Sequence, residues 1–142
     1  NENIKNNDCY DHIILLQPTS PLRTTKHIDD AITKYMHSEK IGSETLVSVT
    51  KVSPKYYWIM NGQDDKYISF CLPINAKNPR RQDFGDLYIP NGAIYLCPVR
   101  FLSEGFYTAQ TIFFEMTDNE SIDIDSLEEF TLVEERVKNK ES

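Results

Sequence analysis

Apolar positions change their spacing several times along this chain, and each change marks an element. "HIILL" (12–16) is a short unbroken apolar run closed by a turn cluster, which predicts a fully buried strand. "QPTSPLRTT" follows, and its prolines at 18 and 21 forbid regular helix. A helix then begins at Thr24 or Thr25, either of which suits an N-cap. Ile28, Ala31, Ile32, Tyr35 and Met36 recur behind it at helical spacing. "SETLVSVTKV" (43–52) predicts the next strand. Strand, helix, strand in that order implies a right-handed crossover and a parallel sheet covered by helices.

Between 53 and 90 the texture changes. "YYWIM", "NGQDDK" and "YISFCL" predict a hairpin rich in aromatics, with Asn61-Gly62 in its turn. "PINAKNPRRQDFGDLYIP" is polar and aperiodic, and a loop of that length is usually functional or held by a partner. Strand character returns in "NGAIYLCP" (91–98), "TIFFEM" (111–116) and "SIDID" (121–125). Ser126 and Glu129 then form the S-x-x-E of a capping box. Leu127, Phe130, Val133 and Val137 follow on one helical face. The chain reads as α/β, with an acidic pair at the carboxyl edge of the sheet, where open α/β sheets bind ligands.

At 142 residues the sequence holds one core and one domain. Neither a run of about 18 apolar residues nor a leader pattern is present, which argues against a membrane span or export. A net charge of −7 argues against a nucleic-acid partner, since phosphate contact needs a basic face. Cys9, Cys71 and Cys97 are odd in number and scattered, which favours reduced thiols and a cytoplasmic setting over disulfides or zinc. His12, His27 and His37 fall outside every block with chemical character, so no catalytic histidine is expected.

Asp123 and Asp125 alternate with isoleucines. On a strand they would share a face about 6.6 Å apart. At an effective dielectric of about 20 their repulsion is about 2.5 kcal/mol, and in open water well under 1 kcal/mol. Two readings are therefore open. The pair is either two solvated carboxylates near a helix start, or a site for magnesium, which takes one or two carboxylates and completes its shell with water and phosphate.

"LLQPTSPLR" (15–23), "RRQD…YIPNGAIYL" (80–96) and "SIDIDSLEEF" (121–130), in that order, resemble the acylneuraminate cytidylyltransferases, also called CMP-sialic acid synthetases. The likeness spans roughly residues 12–137. It implies a nucleotide-diphospho-sugar transferase-like, Rossmann-like fold: a mostly parallel sheet with flanking helices. It also implies transfer of CMP from CTP to the anomeric hydroxyl of a sialic acid, with release of pyrophosphate.

The same resemblance assigns roles. Asp123 and Asp125 are the expected catalytic acids, holding Mg2+ or another divalent cation. Gln17 reaches the sugar acid or the nucleotide; without the resemblance it reads as a turn-stabilising glutamine. Arg81 grips the sugar carboxylate with Gln82 beside it, since a guanidinium pairs with a carboxylate through two parallel hydrogen bonds; a solvated basic pair with Arg80 is the plain alternative. Alternation puts Asn91, Ala93 and Tyr95 on one face of their strand, toward the sugar, and Gly92, Ile94 and Leu96 on the other. Phe106 and Tyr107 fall near the sugar's acyl group, with core packing as their other use. No residue presents itself as a general base.

One family feature is missing. Members open with a strand and a glycine- and basic-rich loop around the triphosphate, whereas the five glycines here (42, 62, 85, 92, 105) are scattered. Phosphate cradling needs clustered backbone N–H groups. The chain is thus expected to be the carboxyl-terminal portion of the enzyme: one partial nucleotidyltransferase domain over 1–142, inactive alone. Residues 53–90 are expected to be an inserted, β-rich dimerisation arm, which implies a homodimer. Two alternatives stay open: CMP transfer to legionaminic or pseudaminic acid, and a non-catalytic fragment that dimerises or binds sugar.

Overall fold

The computed structural model describes residues 10–39, 44–63, 67–72, 80 and 84–140. These divide into two compact units, bounded between Thr50 and Lys51 and between Ile89 and Pro90.

The first unit is built on a four-stranded sheet. Its strands are β1 (His12–Leu15), β2 (Thr45–Val52), β5 (Leu87–Pro98) and β6 (Thr111–Glu115), in the order β1-β5-β2-β6. Helices α1 (Thr25–Met36) and α2 (Leu127–Lys140) complete the α/β architecture. β6 runs parallel to β2, with Val47 opposite Phe113, but β5 runs antiparallel to β1, with Leu15 opposite Tyr95. The sheet is mixed: of the parallel pairing expected, β2 with β6 shows it and β1 with β5 does not. A parallel strand needs a crossover, usually a helix, and no α-helix occurs among the described residues between β2 and β5.

β1 occupies an end of this sheet and is only half-buried, with Leu15 exposed. The unbroken apolar run had predicted full burial; position in the sheet decides it instead. β2 is interior, and Thr45–Thr50 are buried whatever their polarity. The core joins Ala31 and Tyr35 of α1 to Leu46, Ala93, Ile94, Leu96 and Met116. Thr24 caps α1: its hydroxyl accepts from the His27 amide, and His27 Nδ1 accepts from the Thr24 amide. On α2 only Val133 of the expected face is buried; Leu127, Phe130 and Val137 are exposed.

In the second unit, β3 (Met60–Gln63) and β4 (Tyr67–Phe70) pair antiparallel as a hairpin. Asn61 and Gly62 lie inside β3, opposite Ser69 and Ile68, and not in the turn. The connection falls at 64–66, outside the described residues. Tyr56, Tyr57 and Trp58 sit in a 3-10 turn, Pro54–Trp58, and Tyr57 stacks on Phe84 with ring centroids 4.1 Å apart.

Candidate functional site

Three segments of the first unit meet at Gly92: the loop after β1, the middle of β5, and the stretch between β6 and α2. Arg23 fastens the first two. Its Nη1 donates to the Gln17 carbonyl at 2.9 Å and to the Ala93 carbonyl at 2.8 Å. The third is fastened to the first by the Ile124 amide, which donates to the Thr19 carbonyl at 2.9 Å.

Residues 121–125 form no strand, contrary to expectation. Their polar groups are taken up locally: Ser121 Oγ donates to the Thr117 carbonyl, and Glu129 accepts from the Asp125 amide. Such side-chain bonds offer the backbone an alternative to a ladder. Ser126 Oγ accepts from the Glu129 amide, as the expected box requires, but the Glu129 carboxylate accepts from Ser126 Oγ and the Asp125 amide instead of the Ser126 amide. Without a strand the two aspartates are not equivalent. Asp125 is exposed and Asp123 is half-buried. Asp123 Oδ1 is fully buried and has no hydrogen-bond partner among the described residues.

Gly92 adopts φ +75°, a left-handed conformation that disfavours any side chain. A Cβ there would stand 2.7 Å from Gln17 Oε1, 3.2 Å from Asp123 Oδ2 and 3.5 Å from Ser20 Oγ. The missing side chain is thus what lets the glutamine amide and the carboxylate approach the same point. Ala93, expected on the sugar side, is fully buried and packs in the apolar cluster with Ile94 and Leu96.

Asn91 is buried, and its amide is engaged by the protein. Oδ1 accepts from Ser48 Oγ at 2.6 Å and from the Ala93 amide at 3.2 Å, and Nδ2 donates to Ser121 Oγ at 2.8 Å. Tyr95 is nearly buried beside Phe106, ring centroids 5.1 Å apart, and Tyr107, 6.3 Å. Burial, then the hydrogen bond with Tyr107 and its charge, then the charge of Asp123, push the Tyr95 phenol up to about 12. It therefore keeps its proton at neutral pH. Arg81 and Gln82 lie outside the described residues, and Arg80 is exposed.

Sequence reasoning brought Gln17, Tyr95, Phe106 and Asp123 into one region but missed Ser20, Ser48 and Ser121. Single serines in strands and turns carry no periodic or motif signal; only their partners mark them. For a divalent ion, the buried Asp123 Oδ1 without a partner is a donor that such an ion could use. Among the described residues no group of three or more His, Cys, Asp or Glu that could hold a metal gathers. Among the described residues no helix is long and apolar enough to cross a membrane.

No family model matches the chain. It is 34% identical over 119 residues to an N-acylneuraminate cytidylyltransferase of Streptococcus agalactiae serotype III (strain NEM316), covering 82% of this chain and 28% of that protein. It is 31% identical over 125 residues to an N-acylneuraminate cytidylyltransferase of Escherichia coli O18:K1:H7 (strain RS218 / NMEC), covering 87% of this chain and 29% of the relative. It is also 31% identical over 131 residues to N-acylneuraminate cytidylyltransferase B of Danio rerio, covering 89% of this chain and 30% of that protein. The chain spans less than a third of the length of these curated relatives. It is thus a homologue of N-acylneuraminate cytidylyltransferases, related to them through a segment that fills most of its own length and a minor part of theirs.

Proposed function

We propose that this chain supplies the sugar- and metal-binding part of an enzyme that transfers CMP from CTP to the anomeric hydroxyl of a sialic acid, releasing pyrophosphate. The observation that carries the reading is the meeting of Gln17, Gly92 and Asp123, with the Asp123 Oδ1 atom buried and without a partner among the described residues. Homology to cytidylyltransferases supports the reaction class.

In this reading Asp123 and Asp125 would hold a divalent cation, Mg2+ by its preference for carboxylate oxygen. When bound, it would neutralise charge on the triphosphate. The chain's own residues do the positioning. Gln17 offers an amide that can donate and accept toward sugar hydroxyls, and Tyr95 donates from a phenol that stays protonated. Phe106 supplies an apolar wall for the acyl group. Arg81, with Gln82, is proposed to hold the sugar carboxylate by paired hydrogen bonds. The hydroxyl then attacks the α-phosphorus in line as pyrophosphate departs, with catalysis coming from orientation and charge stabilisation. We place the reaction in the cytoplasm, and assign residues 53–90 to a homodimer contact.

The test is pyrophosphate release by the protein that carries this chain, given CTP, a sialic acid and Mg2+. Release should require all three and fall by orders of magnitude in Asp125→Asn. Full turnover in that variant removes Asp125 from the site, and release without the sugar acid overturns the acceptor.

A further inference from the structure

Four hydrogen bonds run in one direction through the first unit. The Ile94 amide donates to Ser48 Oγ at 2.7 Å, and Ser48 Oγ donates to Asn91 Oδ1 at 2.6 Å. Asn91 Nδ2 donates to Ser121 Oγ at 2.8 Å, and Ser121 Oγ donates to the Thr117 carbonyl at 2.7 Å. Each hydroxyl receives one bond and passes on the next, so the donors align head to tail from the interior of the sheet to the turn before Asp123. Ser48 and Asn91 are buried, where aligned hydrogen bonds strengthen one another and a broken one is costly.

We infer that Ser121, held through the Asn91 amide by Ser48, is a positioning residue that sets the Asp123 carboxylate beside Gln17 and Gly92. The inference rests on the reading of Asp123 given above, and it gives the Asn91 amide a supporting part, that of holding Ser121. The geometry requires such a device. Residues 121–125 belong to no strand, so no ladder fixes them. Their backbone is held by the Ser121 amide bond to the Asp118 carbonyl, by the Ile124 bond to Thr19 and by the capping interactions of Glu129. A carboxylate oxygen buried without a partner would turn toward solvent if that segment had slack. Ser121 sits two residues before Asp123 and removes the slack by bonding to the sheet and to its own turn. Serine suits the place because one hydroxyl must accept and donate at once.

The test uses the protein that carries this chain in three forms: the parent, Ser121→Ala, which cuts the relay, and Ser121→Thr, which keeps the hydroxyl. Hydrogen exchange is read at the Ile124 amide and, as an internal reference, at the buried end of α1. Ser121→Ala should speed exchange at Ile124 about tenfold, as expected for one net hydrogen bond, with α1 unchanged and Ser121→Thr close to the parent. Mn2+ binding, followed by electron paramagnetic resonance without substrates, should weaken about tenfold in Ser121→Ala, the scale for a partner that orients a metal ligand. Unchanged Ile124 exchange, or exchange that rises equally everywhere, overturns the inference. So does Mn2+ binding that Ser121→Ala leaves intact while Asp123→Asn abolishes it. If Asp123→Asn binds Mn2+ as the parent does, the metal reading fails, and Ile124 exchange still decides the positioning role. Should Ser121→Ala not fold, Ser121→Cys keeps the volume with a weak sulfur acceptor and carries the same test.

Discussion

The Ile124 amide donates to the Thr19 carbonyl at 2.9 Å, joining the stretch that carries Asp123 to the loop that carries Gln17. These residues lie near opposite ends of the chain. With Gly92 between them, they make a site from segments that share no element.

Gly92 tolerates a side chain poorly. Left-handed backbone costs a residue with a Cβ about 1–2 kcal/mol, and a methyl would sit 2.7 Å from Gln17 Oε1. Gly92→Ala should lower stability by about 1–2 kcal/mol in urea unfolding, from the backbone, and reduce kcat/KM because the Gln17 amide must swing aside. Adding Gln17→Ala should recover little of the stability and none of the activity, because the backbone strain remains.

Removing the amide of Asn91 leaves Ser48 Oγ, the Ala93 amide and Ser121 Oγ short of a partner in a buried setting. Asn91→Ala should therefore cost about 3 kcal/mol. Lys26→Ala, which removes an exposed ion pair to Asp30, should leave stability nearly unchanged. Comparable losses from the two variants would refute the structural weight given to Asn91.

Asp123 should show the opposite sign. A buried carboxylate oxygen without a partner destabilises the protein when no cation is present. Asp123→Asn should leave unfolding in chelator unchanged or raise stability by about 0.5–2 kcal/mol, while losing any stabilisation by Mg2+. A clear loss of stability in chelator would mean that the carboxylate is already paired within the protein.

Tyr95 makes the alkaline side of the stability curve testable. Its phenol is raised in the folded protein from 10.0 to about 12, so the folded state keeps the proton after the unfolded chain has lost it. The stabilisation is complete below about pH 10 and is lost as pH rises toward 12, at about 1.4 kcal/mol per unit of difference. Tyr95→Phe should flatten that decline. Tyr35 is also raised by burial, so phenolate absorbance should show a late titration that Tyr95→Phe reduces; an unchanged titration in that variant would refute the burial of the Tyr95 hydroxyl.

Local pattern determined a good deal of this protein. The spacing of Ile28, Ala31 and Tyr35 and the residues flanking Thr24 and Ser126 were enough for both helices and their starts, because caps and amphipathic faces act within a turn or two. The ordered blocks around Gln17, Tyr95 and Asp123 were enough to point to the family. Only the tertiary structure decided which strand lies at the sheet's end, that β5 runs against β1, and that Asp123 and Asp125 differ in burial. It alone showed Ala93 and the amide of Asn91 to be buried. Burial and pairing depend on which distant segment arrives alongside, and neither is written in the spacing of neighbours.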